Sequence, residues 1–346
     1  MAYTTIKKPT DYFNTKLYTG TGSSNAITGV EFQPDFTWLK VRSNGTYGHA
    51  LFDAVRGVNK SLSSNADSAE ENDATSGNTS LNSFDSDGFT LGGFYNKVNQ
   101  SGQTFASWNF KANGAGSANS DGATASTVSA NTTSGFSCVK WTGTGSATTV
   151  GHGLGAVPKM IIVKNLGQNL DWRVGHTNIA WTHRLCLNSG SPENNDDSAW
   201  NDTAPTSSVF TVGSSTCTNS SGYEMIAYVF TEKVGYSKFS KYIGNGNADG
   251  TFVYTGFKPA LVIIKRADAD KNWYTNDIKR DGYNTDNPYL SPNLNAAETG
   301  GTELDLLSNG FKIRASGTGH NSDGATYIYM AIAAEPIVGD SPATAR

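Results

Sequence analysis

The sequence predicts an all-β chain of three tandem β-sandwich modules, and two observations carry that prediction. The first is composition: charged residues make up 16% of the 346-residue chain and glycine occurs 38 times, which favours turns and strands over long helices. The second is a strand-like run that the chain contains three times, at Pro34–Lys40, Pro158–Lys164 and Pro259–Lys265.

Each copy of this run is a mostly apolar, β-preferring segment that begins at a proline and ends at a lysine six residues later. Such a segment predicts a strand that is buried on both faces. Proline suits the first strand position, where its missing N–H removes no ladder bond. We expect the closing lysine to return the strand to water.

The surroundings of the strand repeat as well, in constant order and at near-constant spacing. A glycine-punctuated segment precedes it, at Tyr18–Gly22, Trp141–Gly145 and Tyr242–Gly246. A phenylalanine follows it at a distance of 52 to 55 residues from the proline, at Phe89, Phe210 and Phe311. A second strand-like run closes each copy, at Gly102–Phe110, Gly222–Phe230 and Gly324–Ile332. These landmarks predict an internal repeat.

The repeat and the composition between its copies divide the chain into five parts. They are an N-terminal arm (1–16), β module one (17–112), a linker rich in Gly, Ser, Ala and Thr (113–134), β module two (135–235) and β module three (236–346). The linker composition predicts a flexible segment or a loosely packed strap. Modules two and three abut, so we expect a firmer interface there than between one and two. The arm either docks on a partner or lies along its own module.

Charge and hydropathy exclude several classes of protein. The net charge of −4 argues against a nucleic-acid-binding surface. No apolar run approaches the ~18 residues of a membrane span, and the first residues lack the apolar core of a signal peptide. The three cysteines, Cys138, Cys186 and Cys217, have no metal-binding spacing and predict reduced thiols in a chain made in a cytoplasm.

The candidate ligand site is a polar stretch of module two with two tryptophans that have no counterpart in the other copies. An exposed tryptophan beside carboxylates and amides is what a sugar-binding loop requires. The candidate site residues are Trp181, Trp200, His183, Asp196 and Asp197. The favoured alternative is that the tryptophans plug a loop or form a subunit contact.

Two other patterns recur between copies and favour structural roles. Asp53 and Arg56 are echoed by Asp277 and Arg280, again three residues apart, which indicates an ion pair that holds a turn, with a ligand-contacting pair as the alternative. A tryptophan eight residues past the closing lysine also recurs, at Trp172 and Trp273.

Enzyme signatures are missing from the sequence. It contains no nucleophile elbow, zinc-protease motif, phosphate loop or cysteine–histidine metal spacing. Neighbouring acids such as Asp196 and Asp197 could be imagined as glycosidase carboxylates, but adjacent loop acids are more often solvated. The prediction is a protein that is not an enzyme and holds no metal or cofactor.

Several segments resemble a module of tailed-bacteriophage appendage proteins, which is frequent in phages of marine bacteria, including cyanophages. They are Phe32–Arg42, Leu51–Gly57, Lys60–Asn65 and Phe84–Phe89, with Tyr242–Pro259 and Trp273–Asp277 similar to its later repeat. The resemblance covers Tyr3 to Pro336. It implies lectin-like sandwich modules in a virion structural or host-attachment protein, without known catalytic residues.

The resulting expectation is a tail-fibre or receptor-binding appendage that attaches the phage to the host surface. The alternative is a head fibre or capsid-decoration protein, and a glycan-cleaving enzyme is a third candidate. The expected partners are other virion proteins of the portal, tail or capsid and a host-surface glycan or protein, with no nucleic acid and no membrane insertion. The expected location is the particle surface, after assembly in the host cytoplasm.

A homotrimer is expected for two reasons. A single module of ~100 residues buries only a little more than ~60% of its unfolded surface, and association would cover the remainder. Phage fibres are commonly threefold. In that arrangement the third module or the arm lies near the axis and the loops around Trp181 and Trp200 face outward.

Overall fold

The computed structural model describes residues 4–76, 79–93, 96–280, 284, 287–340 and 342–343, and residues 1–3 of the predicted arm lie outside them. The architecture is all-β, with every named strand pair antiparallel. The helices are one turn long: α1 (Asn96–Asn99), α2 (Asp197–Trp200), α3 (Thr216–Asn219) and the 3-10 turns Pro9–Asp11 and Asp73–Ser76. Across the described ranges, no helix has the length and apolarity needed to cross a membrane.

The first repeat (residues 13–112) contains two main sheets. Its strands are β1 (Phe13–Thr19), β2 (Asn25–Thr28), β3 (Phe36–Val41), β4 (Ala50–Asp53), β5 (Lys60–Ser61), β6 (Glu71–Asn72), β7 (Leu81–Asp85), β8 (Gly88–Leu91) and β9 (Thr104–Phe110). The sheets have the orders β1-β9-β3-β4 and β2-β8-β7, with β5 and β6 as a separate pair. Side chains of both main sheets share one buried cluster, which includes Ile27, Leu39 and Phe89.

The second repeat (residues 113–235) begins earlier than the sequence predicts. Its strands are β10 (Ser117–Asn119), β11 (Ser126–Asn131), β12 (Phe136–Thr142), β13 (Thr148–Gly151), β14 (Pro158–Asn165), β15 (Arg173–His176), β16 (His183–Arg184), β17 (Asn194–Asn195), β18 (Val209–Val212) and β19 (Glu224–Thr231). The large sheet has the order β10-β11-β12-β19-β14-β15, and β13–β18 and β16–β17 form pairs.

The flexible linker predicted at 113–134 is therefore wrong, because β10 and β11 lie within that segment and pair with each other and with β12. Small polar residues suffice at a sheet edge, where backbone bonds supply the pairing and little side-chain burial is needed.

The third repeat (residues 236–340) has the same plan as the first. Its strands are β20 (Ser237–Ile243), β21 (Phe252–Tyr254), β22 (Phe257–Arg266), β23 (Trp273–Asp277), β24 (Tyr289–Leu290), β25 (Leu304–Leu307), β26 (Gly310–Ile313) and β27 (Thr326–Pro336). They form sheets of order β20-β27-β22-β23-β24 and β21-β26-β25.

The repeated strand, β3, β14 and β22, is an inner strand of the main sheet in every repeat, between β9 and β4, β19 and β15, and β27 and β23. It is almost wholly buried in each copy, as the sequence predicts. The expectation that its closing lysine returns to water is wrong: Lys40, Lys164 and Lys265 are all fully buried.

One hydrophobic core extends through all three repeats. Trp38, Ile162 and Ile263, at equivalent positions of the repeated strand, line the same small apolar cavity of about 20 Å³ together with Trp108 and Tyr228. The first repeat thus packs directly against both others, and the weaker junction predicted between modules one and two is not seen.

The N-terminal arm contacts its own module, through the Lys8–Glu31 ion pair, and also the third repeat, which neither alternative predicts. Docking on a partner stays a prediction. Ile6 is buried in the shared core, the backbone N–H of Asp340 donates to the carbonyl of Lys7 at 3.2 Å, and the rings of Tyr12 and Tyr236 meet edge to face at 6.2 Å. The arm thereby fastens the first repeat to the third.

Candidate functional site

Trp200, predicted as an exposed stacking surface for a sugar, is fully buried. It ends helix α2 and packs in the cluster that joins the large sheet of the second repeat to the β13–β18 pair. Its ring lies close to Gly175 of β15, where a Cβ would be 3.1 Å from it. The exposed role is therefore wrong for Trp200, because a one-turn helix turns its side chain into the core.

Trp181 is half-buried and packs edge to face on Trp200, with ring centroids 5.7 Å apart and planes at 88°. A Cβ at Gly175 would collide with its ring, so glycine at that position makes room for it. The pair plugs the loop, which is one of the structural alternatives considered for these tryptophans.

The polar members of the predicted site lie nearer the surface. His183 shares a hydrogen bond of 2.8 Å with the hydroxyl of Thr182. Asp196 accepts hydrogen bonds from Ser198 at 2.5 Å and from Arg184 at 3.2 Å. Burial acts to raise the pKa of Asp196, but these two hydrogen bonds and the positive charges of Arg184 and Arg173 together outweigh it, and the pKa is lowered. This carboxylate is held as an acceptor by its own loop.

Asp197 is exposed and borders an open polar pocket of about 210 Å³. Asn201 and Asp202, which also line it, both have left-handed backbone angles (φ 51° and 49°). The pocket offers carboxylate, amide and hydroxyl groups to a polar ligand. Within the described part of the chain, no three histidine, cysteine or acidic side chains are grouped to hold a metal ion.

Asp53 and Arg56 form a buried ion pair with an Nε–Oδ2 distance of 2.5 Å. Asp53 also accepts the backbone N–H of Val55 and of Arg56, which closes the turn after β4. From the second repeat, the hydroxyl of Tyr228 donates to Asp53 at 2.9 Å. Arg56 reaches Glu70 at 3.1 Å. The favoured interpretation of this pair, an ionic clamp on a turn, is what the geometry shows.

Asp277 and Arg280 repeat the arrangement in the third repeat, with an Nε–Oδ2 distance of 2.6 Å and both side chains fully buried. Here the donor from the neighbouring repeat is the indole N–H of Trp108, 2.9 Å from Asp277. Arg280 also bonds Glu298 at 3.0 Å and lies 5.6 Å above the ring of Trp108. This clamp joins the third repeat to the first.

His176 occupies the equivalent place in the second repeat. The strand registers show this, because Asp53, His176 and Asp277 face Phe36, Met160 and Leu261, each two residues past the repeated proline. The backbone N–H of Asn178 donates to His176 Nδ1, so Nε2 carries the proton and donates to the carbonyl of Tyr329 in the third repeat at 3.3 Å. Burial lowers the pKa of His176 to about 4.

The residue at this equivalent position therefore always contacts the next repeat. Asp53 of the first repeat contacts the second, His176 of the second contacts the third, and Asp277 of the third contacts the first. The buried lysines make an equivalent set of bonds. Each donates to carbonyls of its own repeat and to one of the preceding repeat, namely Lys40 to Asn295, Lys164 to Asp67 and Lys265 to Gly190, at 2.9–3.2 Å. Burial lowers the pKa of each lysine to about 8.

A third set joins aromatic N–H groups to carbonyls of the preceding repeat. The bonds are His49 to Ser291, Trp172 to Ser63 and Trp273 to Cys186, at 2.8–3.0 Å. The structural role predicted for Trp172 and Trp273 is confirmed, and His49 takes the same place in the first repeat. Three sets of equivalent contacts close the three repeats into a ring.

The sequence reasoning missed an apolar surface on the third repeat. Most of the exposed large apolar side chains in the described ranges belong to it or border it: Val234, Ile243, Phe252, Tyr254, Ile337 and Val338. The signal in the sequence is the run Phe252-Val253-Tyr254. Because successive side chains of a strand point to opposite faces, the two aromatic side chains share the outer face when Val253 is buried.

The chain belongs to the family described as a domain of unknown function (DUF7483), which it matches over residues 8–336. We find no match to it among curated proteins or among solved structures.

Proposed function

We propose that this member of the DUF7483 family is a structural protein of a tailed-phage virion, and that it serves as a tail-fibre or receptor-binding appendage for attachment to the host. Each repeat would be a lectin-like β-sandwich. The single observation that supports the proposal most is the closed ring, in which one chain builds a threefold block from three repeats. Threefold blocks suit fibres, and the resemblance to phage appendage modules points the same way.

The ring suits a protein that works outside a cell without disulfides. The three cysteines are buried and free, so no covalent bridge holds the repeats together. Buried hydrogen bonds between the repeats do so instead, and each is costly to break because a donor or acceptor would be left buried without a partner. Such a block keeps its surface fixed while it binds.

We propose that the chain binds and does not catalyse. Asp53, Asp277 and His176 are fully committed to contacts between repeats and are buried, so substrate cannot reach them. The outward groups around Asp197 offer hydrogen bonds to a host-surface glycan or protein. The remaining partners would be virion proteins of the tail or portal.

The homotrimer stays a prediction that now lacks one of its arguments. The chain covers the main faces of its repeats within the ring, so uncovered apolar module faces no longer call for three chains. Threefold fibres remain the reason to expect it. Light scattering on the purified protein at micromolar concentration distinguishes a mass of three chains from a mass of one.

A capsid-decoration or head-fibre role is the second candidate. The exposed apolar surface of the third repeat favours it, because such surfaces commonly mark contacts with other proteins.

Immunogold labelling of intact particles tests the proposal. An antibody against this chain should label the tail, or the tail fibres, of the phage that encodes the protein. Gold on the head would support the second candidate in place of the first. If purified particles bind no antibody and mass spectrometry does not detect the chain in them, a virion role is contradicted.

A further inference from the structure

Strand β21 is the end strand of its sheet in the described part of the third repeat, with β26 as its one neighbour. Val253 points into the core, whereas Phe252 and Tyr254 are 44% and 60% exposed. Through their backbones, Thr251 accepts from Ile313 of β26 and Thr255 donates to Asn309, the residue before β26. Since antiparallel strands alternate, the backbone groups of Phe252 and Tyr254 face the open side. The strand thus presents hydrogen-bonding groups and two aromatic rings together.

The other repeats provide a matched comparison for this edge. Ile27, Val150 and Val253 are equivalent, because each is paired with the repeated phenylalanine of its own repeat. The residues that flank them are small or polar in the first two repeats: Ala26 and Thr28, and Thr149 and Gly151. Only in the third repeat are both positions aromatic.

The second repeat shows what this edge accepts. There the same chain bonds to this edge of β13 at one point: the N–H of Thr124 donates to the carbonyl of Thr149 at 3.0 Å, and Thr124 forms an isolated parallel bridge with Val150. The N–H of Ala123 adds a bond to the hydroxyl of Thr149 at 2.9 Å. Phe252 is the counterpart of Thr149, so its carbonyl is placed to accept an N–H in the same way.

A groove of about 580 Å³ continues from the end of β21, and its lining indicates which kind of side chain would fit there. Val234, Tyr254, Ile337 and Val338 supply apolar walls. The charged groups near it are neutralised in pairs, with Lys238 bonded to Glu232 at 3.2 Å and Lys258 to Glu335 at 3.3 Å. An uncharged, apolar side chain fits this groove better than an ion.

We propose that β21 binds an extended segment of another protein by strand addition, in the parallel direction of the Thr124–Val150 bridge on β13. The segment would carry uncharged apolar side chains at every second position, one set beside Phe252 and Tyr254 and one in the groove. Backbone bonds supply affinity in this mode and the alternating side chains supply specificity. The binding mode does not rest on the proposed function. If that function holds, the partner would be another virion protein.

The probe for this site is a fluorescent octapeptide that alternates threonine and valine, with a second octapeptide in which prolines replace the threonines. The proline version keeps the apolar side chains and loses the N–H donors. Fluorescence polarisation should detect saturable binding of the first peptide to the full chain, and binding at least about tenfold weaker for the second.

Paired substitutions locate the binding. The double variant Phe252→Lys, Tyr254→Lys should weaken peptide binding by about tenfold or more, because two flexible, charged side chains replace the aromatic face. Ala26→Lys with Thr28→Lys, the equivalent positions of the first repeat, should leave it unchanged. All four side chains are exposed, so unchanged melting temperatures are expected and confirm that both variants fold.

Three results would overturn the proposal: no binding at about 1 mM peptide, equal binding of the proline peptide, or equal loss in the first-repeat control. A dimer that the Phe252 and Tyr254 variant dissociates would also overturn it, since a second copy would then cover the edge. None of these results depends on where the chain sits in a particle, so failure here and failure of the virion role are separate outcomes.

Discussion

At one equivalent position, the three junctions between repeats use two kinds of chemistry. The first and third repeats place a carboxylate there with an arginine three residues on, and the second repeat places a neutral histidine with an isoleucine. The pairs are Asp53 with Arg56, Asp277 with Arg280, and His176 with Ile179. The side chains of all of them are buried, so the difference does not arise from access to water.

The neighbouring repeat explains the choice. Tyr228 and Trp108 each present a donor to the junction, and a carboxylate accepts it. The third repeat has Met330 at the equivalent strand position, opposite Ile263, and methionine offers no hydrogen-bond donor. A carboxylate there would lack a partner, so His176 donates to a backbone carbonyl instead. The fold fixes the place and the partner fixes the chemistry.

The largest expected effect comes from removing one charge of a buried pair. Arg280→Met should destabilise the protein by about 3–5 kcal/mol, because it leaves Asp277 as an uncompensated buried charge. Ile179→Met, the matched change in the neutral junction, should cost less than about 1.5 kcal/mol. Urea denaturation of the two variants measures both. Equal costs would show that the two junctions do not differ in kind.

Acid should weaken the neutral junction in particular. The pKa of His176 is about 4 in the folded chain against an ordinary value of 6.5, so the unfolded chain binds more protons between these pH values. His176 therefore contributes stability that is present above pH 6.5 and lost as the pH falls through 4, at most about 3 kcal/mol.

His176→Gln isolates this contribution, because glutamine keeps an N–H donor and does not titrate. The variant should lose less stability than the wild type between pH 6.5 and pH 4, while the slope from His320, whose pKa burial also lowers to about 4, remains. Identical pH dependence in thermal melts of the two proteins would contradict a buried, neutral His176.

The smallest expected effect concerns proteolysis: the segment 113–134 should not be an early site of cleavage in the folded protein. If the first junction is as firm as the others, the segment 113–134, which carries β10 and β11, should resist limited digestion until the protein unfolds. Early release of the first repeat by a cut in this segment, followed by mass spectrometry, would show that the junction is loose.

Much of this fold was predictable from the sequence, because repeated landmarks report strand positions three times over. The all-β class, the buried repeated strand and the structural tryptophans Trp172 and Trp273 all follow from that spacing. The burial of the closing lysines is not predictable in this way, because a charged side chain alone does not reveal that three carbonyls will surround it.

The candidate site was less predictable. The polar neighbours of Trp200 predict an exposed side chain, whereas one helical turn directs it inward. The small polar residues of segment 113–134 predict a flexible linker or a loosely packed strap, because composition alone does not show that β10 and β11 pair with each other and with β12. The sequence carries a further repeated signal, an asparagine three residues before each closing run. In every repeat this side chain bridges buried loop backbones, at Asn99, Asn219 and Asn321.

Closure of the ring between the first and third repeats is the central structural claim, and a double-mutant cycle tests it most directly. Trp108 and Asp277 are separated by 169 residues in sequence and joined by one buried hydrogen bond. Trp108→Phe removes the donor and Asp277→Ala removes the acceptor, and these variants with the double variant should show a coupling energy of about 1–3 kcal/mol in urea denaturation. A coupling energy indistinguishable from zero would mean that the two repeats do not meet in solution, and the ring would be wrong.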